Sequence, residues 1–559
     1  MAKKSTQPSK KSTQKESVGI SDSGEKWLPW ALAALAFIVF STGLSNQLLG
    51  VDDHTATVDN PAVRDFLIFS GFNLGMYAPV TWIGYEIAYT LGKDSPNWYH
   101  FLSALVHAFN VVLVFRLFRR LDSSFTVSAL VALFFAIHPL QVESVSWIAG
   151  FSTPLFSMFY LLSCSWYLQY AEKGESRFYN YALLGFVLAC LSKSAAVTLP
   201  LTLVLMDWWL KRPLNDRQRL LRYAPFFLVA LLFGLLTVYS RNASGMNMSD
   251  GTHLNVLERI LVLCYTPVFY WAKILIPTKL NIYYSFDSIK TDFVWAYWAA
   301  TAVLALVLWG AWKLRAKARF VWFGLLFFLA QISVMLPFRA MGTFELCADH
   351  YNYLASIGIF FILISGFQAL AKTRPGMFGA LTWTAGIWTI ALLVLTILQI
   401  RVWKDTISVV NNAIDNGFHQ NGRLYEARGT AYATEKRDVT NALKDYSQAI
   451  RINPTLWDSY KFRGNLFGLQ KMYDRSIEDL TVYIEHYPQG VRELYNRALS
   501  YANLGRNQEA IADLNRAIEL DPVFARAYRA RGNCYLNIGE TEKGNADLAK
   551  YDSLDKEPN

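Results

Sequence analysis

Apolar residues run through the chain in long stretches up to about residue 400, and beyond that point they recur at helical spacing among charged positions. The stretches lie near residues 28–49, 98–118, 124–139, 151–170, 178–193, 195–210, 223–240, 294–312, 320–337, 351–371 and 377–400. A helix needs about 20 apolar residues to cross roughly 30 Å of hydrocarbon, so the pattern predicts a polytopic helical membrane domain of about eleven spans. The first stretch lacks a small-residue cleavage site after a short apolar core and is expected to be a retained helix. Positive charge sets the direction of the spans. Arg116, Arg119 and Arg120, then Lys211, Arg212, Arg217, Arg219 and Arg222, then Lys313, Arg315, Lys317 and Arg319, then Lys372 and Arg374 mark cytoplasmic loops. The alternate loops are poor in Lys and Arg. Between Gly50 and Asn97, Arg64 and Lys93 face six acids, Asp52, Asp53, Asp59, Asp65, Glu86 and Asp94. The apolar segment Val256 to Ile276 breaks the alternation and is expected to lie in the outer interface or as a re-entrant helix. Eleven spans from a cytoplasmic N-terminus bring the chain out on the extracytoplasmic side after Arg401.

The C-terminal pattern is periodic. Pro454, Pro488 and Pro522 recur every 34 residues, as do Gly464, Ala498 and Gly532, and Tyr446, Leu480 and Leu514. A 34-residue period, with small residues in a first helix and Pro closing a second, is the signature of tetratricopeptide repeats, helix pairs that stack into a solenoid. YNRALSYANLGRNQEAIADLNRAIELDP (Tyr495 to Pro522) fits it best. Three repeats are expected from about Arg423 to Tyr551, with Thr406 to Phe418 as the second helix of a degenerate leading repeat. Such arrays hold proteins or peptides on a concave face, which assigns any catalysis to the membrane part. The whole chain therefore reads as all-α: a tail over residues 1–26, a membrane domain over 27–403 and a solenoid over 404–559.

Composition sharpens this division. From Lys404 onward about 28% of residues are charged, against about 13% before it, which excludes both a single soluble domain and a disordered chain. The tail carries KKSTQ twice and lacks apolar residues, so it is expected to be disordered and cytoplasmic. Cys164, Cys190, Cys264, Cys347 and Cys534 form no close pair, and neither a metal site nor a disulfide framework is expected. No nucleic-acid partner is expected either.

Acids at a membrane boundary are costly without a task or a partner. VDDHTATVDNP (Val51 to Pro61) places Asp52 and Asp53 directly after the first span, where partial desolvation beside a second acid suits a general base. HPLQVESVSWIAG (His138 to Gly150) sets His138 and Glu143 in a short apolar hairpin. LSKSAAVTLP (Leu191 to Pro200) offers Lys193 at the level of lipid phosphates. ADHYNYLASIG (Ala348 to Gly358) brings Asp349, His350, Tyr351 and Tyr353 to the start of a span, shortly after Arg339. IYYSFDS (Ile282 to Ser288) could roof a cavity. No Gly-rich phosphate loop, GxSxG or HExxH occurs, which argues against an ATP-driven pump, a serine hydrolase or a zincin.

The order of these motifs, with APVTWIGYEIAYTLG (Ala78 to Gly92) between the first two and the repeats after the last, resembles the transmembrane and tetratricopeptide-repeat-containing glycosyltransferases, relatives of protein O-mannosyltransferases in the GT-C superfamily. The resemblance implies a multi-span enzyme that moves a sugar, such as mannose, from a polyprenyl-phosphate carrier to an acceptor hydroxyl outside the cytoplasm, with inversion and without a metal or other cofactor. The acceptor it implies is Ser or Thr of a polypeptide. It implies Asp52 or Asp53 as catalytic acid residue, and Lys193, with His350 and Arg339, as holders of the donor phosphate. His138, Glu143, Asp349 and Tyr351 would line the substrate cavity. Ala78, Gln141, Phe151, His350 and Ala355 depart from the residues usual in the family's motifs. The rival reading is a membrane-anchored scaffold, in which these polar residues need not converge. A lipid-linked sugar transporter would need polar residues open alternately to both faces, and here they cluster on one.

Overall fold

A computed structural model describes residues 22–64, 71–73, 75–243, 255–282, 284–285, 294–336 and 345–555. The described chain is helical almost throughout. Its one sheet pairs Tyr284–Ser285 with Glu345–Cys347 antiparallel, Tyr284 opposite Cys347.

Every expected span falls on a helix, although the helices differ in reach. Five are long and apolar enough to cross a membrane: Pro96–Arg120, Arg217–Ala243, Trp295–Lys313, Asp349–Thr373 and Pro375–Val402. Three apolar helices, Phe125–Ile137, Ser194–Trp209 and Arg319–Ile332, are shorter. Asp22–Ser41, Ser152–Lys173 and Ser176–Ser192 occupy the remaining expected positions. Turn chemistry sets several boundaries. Pro96 stands in the first helical turn, Ser124 Oγ caps Phe125–Ile137 through the Val127 N–H, and Gly174 ends its helix at φ 72°, a conformation open to Gly without strain.

Pro96–Arg120 is the central strut, with 72% of its apolar window buried, against 11% for Arg217–Ala243, Trp295–Lys313 and Pro375–Val402. The last three present bare Leu, Ile and Trp, including Leu231, Leu235, Trp309 and Ile387, over a surface far larger than a soluble protein leaves open. The protein is an integral membrane protein. Inside, side-chain hydrogen bonds cross between helices, as lipid-embedded bundles require. His107 Nδ1 lies 2.7 Å from the Tyr353 hydroxyl and Nε2 3.2 Å from the Ala136 carbonyl, while Gln331 donates to Tyr160 and Thr202. Arg319–Ile332 and Asn352–Thr373 cross at Gly324 and Gly358, where any added methyl group would meet the opposing backbone carbonyl.

The bundle has two distinct ends. At one, the basic loops are tied together: Arg119 to Glu25, Arg120 to Glu172, Trp209 to the Leu121 carbonyl and Arg319 to the Trp208 carbonyl. At the other lie all the acidic motifs. Val256–Leu275 runs along this second end, since its Tyr265 packs on Tyr297 and its Ile274 carbonyl holds His138. A helix not foreseen from sequence, Pro79–Gly92, also packs there, burying Trp82 and Tyr85.

The solenoid has four helix pairs, from Gly422–Ala431 to Thr541–Asp555, rather than three. Lys556 stands where the 34-residue spacing would put the next Pro, so the Pro period undercounts the pairs. Thr406–Asp415 precedes the first pair as a single helix, capped by Asp405 on the Ser408 N–H. Each pair is locked by a bidentate Arg–Asp bridge: Arg428–Asp445, Arg463–Asp479, Arg497–Asp513 and Arg531–Asp547.

Candidate active site

The first loop turns at Gly50, whose N–H is held by the Thr406 hydroxyl at 2.9 Å, and enters a short helix at Asp53. Asp53 points inward and is fully buried. One carboxylate oxygen accepts the Leu49 N–H and the other the Ala149 N–H, both at 2.8 Å, so Asp53 staples this loop to the hairpin that begins at His138. Burial pushes its pKa up to about 7 despite these N–H donors, and the neighbouring Asp52 charge adds to the rise. Asp52 is half-buried and caps nothing with its side chain. Burial alone raises its pKa, with no hydrogen bond opposing. The adjacent acids thus differ: Asp53 has both oxygens engaged, and the Asp52 carboxylate accepts no hydrogen bond from the described residues.

Glu143, in the helix Gln141–Ser146, accepts the His350 backbone N–H at 2.7 Å and lies 2.9 Å from His350 Nδ1. Burial raises Glu143, while His350 and Lys193 oppose the rise. Lys193, at the end of Ser176–Ser192, donates to the Thr153 hydroxyl at 2.8 Å. Ala149 and Thr153 are four residues apart in one helical segment, which places them about 6 Å apart along its axis. That turn bonds Asp53 through its first residue and Lys193 through its last.

Lys193 also lines a narrow, partly open cleft, with Tyr77, Ala78 and Ser194 on one wall and Phe233, Leu236 and Thr237 of the lipid-facing Arg217–Ala243 on the other. Asp349 receives the Tyr284 hydroxyl, 3.1 Å from both carboxylate oxygens, and the Tyr351 ring packs on His350. Glu143, His350, Asp349 and Lys193 therefore gather at one end.

A C-terminal segment, residues 491–524, matches a family model described as tetratricopeptide repeat. The chain is 26% identical over 320 residues to the protein O-mannosyl-transferase Tmtc1 of Drosophila melanogaster, covering 50% of this chain and 36% of that one. It is 23% identical over 453 residues to the protein O-mannosyl-transferase F38B6.6 of Caenorhabditis elegans, covering 76% and 62%. The chain is similar to proteins named as protein O-mannosyl-transferases. It spans less than two thirds of the length of these relatives. A solved structure of MamA from Desulfovibrio magneticus RS-1, 15% identical, aligns with 27% of this chain and 84% of its own at a TM-score of 0.26.

Several expected site residues of this family-like constellation take other places. His138 does not line the cleft. It is fully buried, its Nε2 lies 2.9 Å from the Ile274 carbonyl and its Nδ1 accepts the Leu140 N–H, so both nitrogens are spent on backbone. The Nδ1 of His350 is likewise engaged, by a carboxylate, which leaves Lys193 as the cation on the cleft. Arg339 lies outside the described residues. Sequence reasoning missed Thr153, Asn281 and Tyr284, whose partners lie 40 or more residues away. The motif IYYSFDS marked the neighbourhood of Tyr284 without giving it a partner.

Proposed function

We propose that the protein is a membrane glycosyltransferase that moves a sugar, mannose or another hexose, from a polyprenyl-phosphate carrier to a hydroxyl of an acceptor polypeptide on the extracytoplasmic side. The observation that carries this reading is the segment from Ala149 to Thr153, which bonds Asp53 through its first residue and Lys193, the cation on a lipid-facing cleft, through its last. A prenyl chain lies along Phe233 and Leu236, and its phosphate meets Lys193. The acceptor oxygen attacks the anomeric carbon, the bond from that carbon to the phosphate oxygen breaks, and the hydroxyl proton passes to Asp52. Phosphate leaves as a monoester with its new charge against Lys193. Asp53 shapes the loop that presents Asp52.

A general base is worth about 10²–10⁴-fold in rate. In a transfer assay with polyprenyl-phosphate sugar and a Ser/Thr peptide, read by mass spectrometry, Asp52→Asn is expected to lose that factor while folding normally. Wild-type turnover in Asp52→Asn refutes the assignment. The matched repeat favours one rival, a non-catalytic scaffold. Absence of transfer with any lipid-linked sugar, together with retained capture of a partner protein, would establish it.

A further inference from the structure

The helix Thr406–Asp415 touches the candidate site at two places. At its start, the Thr406 hydroxyl accepts the Gly50 N–H at 2.9 Å, two residues before Asp52, and donates to Glu435 of the first repeat. Two residues before Thr406, the Lys404 carbonyl holds the Gln47 N–H. Toward its end, Asn412 and Asn416 both donate to the side-chain oxygen of Asn281, at 2.9 and 3.1 Å, and Asn412 also holds the Leu280 carbonyl. Asn281 in turn donates its backbone N–H to the Tyr284 hydroxyl at 3.1 Å, and that hydroxyl donates to Asp349. Asn281 is 1% exposed, so these bonds are shielded from water. Thr406 and Asn412 stand six residues apart on one helix, about 9 Å. A rigid rod belonging to the repeat domain therefore spans from the Asp52 loop to the Asp349 segment.

We propose that this helix is a positioning element of the catalytic centre: Thr406 sets the Gly50 turn leading into Asp52, and Asn412 with Asn416, through Asn281, sets the Tyr284 hydroxyl on Asp349. The repeats are thus built into the site, and a polypeptide held on them is held at a constant distance from it. The catalytic part of this proposal rests on the transferase reading; the coupling of the two segments does not.

The test uses the full chain in lipid nanodiscs, with Thr406→Val, Asn412→Asp and Tyr284→Phe, each close in size to the native residue, and Asn412→Gln, which keeps a donor. Hydrogen–deuterium exchange should rise over residues 49–56 in Thr406→Val and over 345–352 in Asn412→Asp and Tyr284→Phe. It should stay unchanged in Phe125–Ile137, and Asn412→Gln should move it least. In the transfer assay kcat should fall about ten- to a hundred-fold, the scale of small misplacement of catalytic groups, with KM for the lipid donor unchanged. Unaltered exchange in both segments overturns the proposal, as does a rise spread evenly over the bundle. If the wild type shows no transfer but the local exchange pattern appears, the positioning holds and the transferase reading falls.

Discussion

Asp52 and Asp53 are neighbours of identical chemistry, and what separates them is the backbone each one meets. Both oxygens of Asp53 receive an N–H, from Leu49 and Ala149. Asp53→Asn turns an NH2 toward one of those donors, leaving it unpaired in a buried site, at a cost of about 1–3 kcal/mol. Thermal unfolding in detergent should show this loss for Asp53→Asn and almost none for Asp52→Asn, whose effect belongs to turnover. The pH profile follows from the same burial. A base must be deprotonated to accept a proton, and burial raises the pKa of Asp52 above the ordinary 3.8 and that of Asp53 to about 7. Transfer should therefore decline on acidification above the ordinary carboxylate range, as the raised Asp52 takes up its proton. A kcat/KM profile that falls only within the ordinary carboxylate range contradicts the assignment. The sequence placed both acids at the end of the first span, because two carboxylates after an apolar run are conspicuous. It could not rank them, because the deciding donor is the Ala149 amide, 96 residues away. His138 was misplaced for a similar reason: a His before Pro in an apolar hairpin reads as a site residue until the Ile274 carbonyl is seen to claim it.

Between elements, the solenoid was legible by its period and the bundle only by its apolar runs. Gly, Ala and Pro at 34-residue spacing report helix pairs directly, and the same spacing relates Arg463, Arg497 and Arg531, and Asp479, Asp513 and Asp547. This second ladder was available in the sequence and went unread, hidden among ordinary surface charges. Each of these arginines also reaches the preceding helix, Arg497 through Thr481 and Arg531 through Asn515, so every rung joins three helices. Arg497→Met leaves Asp513, about nine-tenths buried, without its partner, and should cost about 1.5–3 kcal/mol, the worth of a hydrogen bond to a charged group. The paired change Arg497→Met with Asp513→Leu should recover part of that loss, a coupling that a double-mutant cycle of unfolding midpoints measures. No such period exists in the membrane part. The crossing at Gly324 and Gly358 brings two glycines from helices 34 residues apart into contact, and a single chain gives no sign of which glycines meet. Gly358→Val should abolish folding of the bundle, read as loss of a monodisperse peak in detergent.

At the scale of the whole molecule the decisive feature is polarity along the bundle axis. The bonds that tie Arg119, Arg120, Leu121 and Arg319 to their neighbours define one end. The contacts of Gly50 with Thr406, Asp53 with Ala149 and Glu143 with His350 define the other. Lys and Arg concentrate on the cytoplasmic side of membrane proteins, so the prediction is that the basic end faces the cytoplasm and that the acids, the cleft mouth and the repeats face away from it. Short loops make this rule dependable here, since the turns around Asp122 and Asn215 leave little chain to translocate against its charge. The prediction is read by cysteine labelling. Cys164, Cys190, Cys347 and Cys534 are buried, so a Cys264→Ser background silences the one partly exposed thiol. In it, Ser553→Cys at the end of the repeats should react with a membrane-impermeant maleimide applied to intact cells or sealed luminal-side-out vesicles. Asn215→Cys, beside Lys211 and Arg212, should react only after permeabilisation. The opposite pattern would place the basic loops on the side where positive loops are rare and the carboxylates and the repeats in the cytoplasm, and with them any acceptor polypeptide, so the same labelling decides which compartment supplies the acceptor.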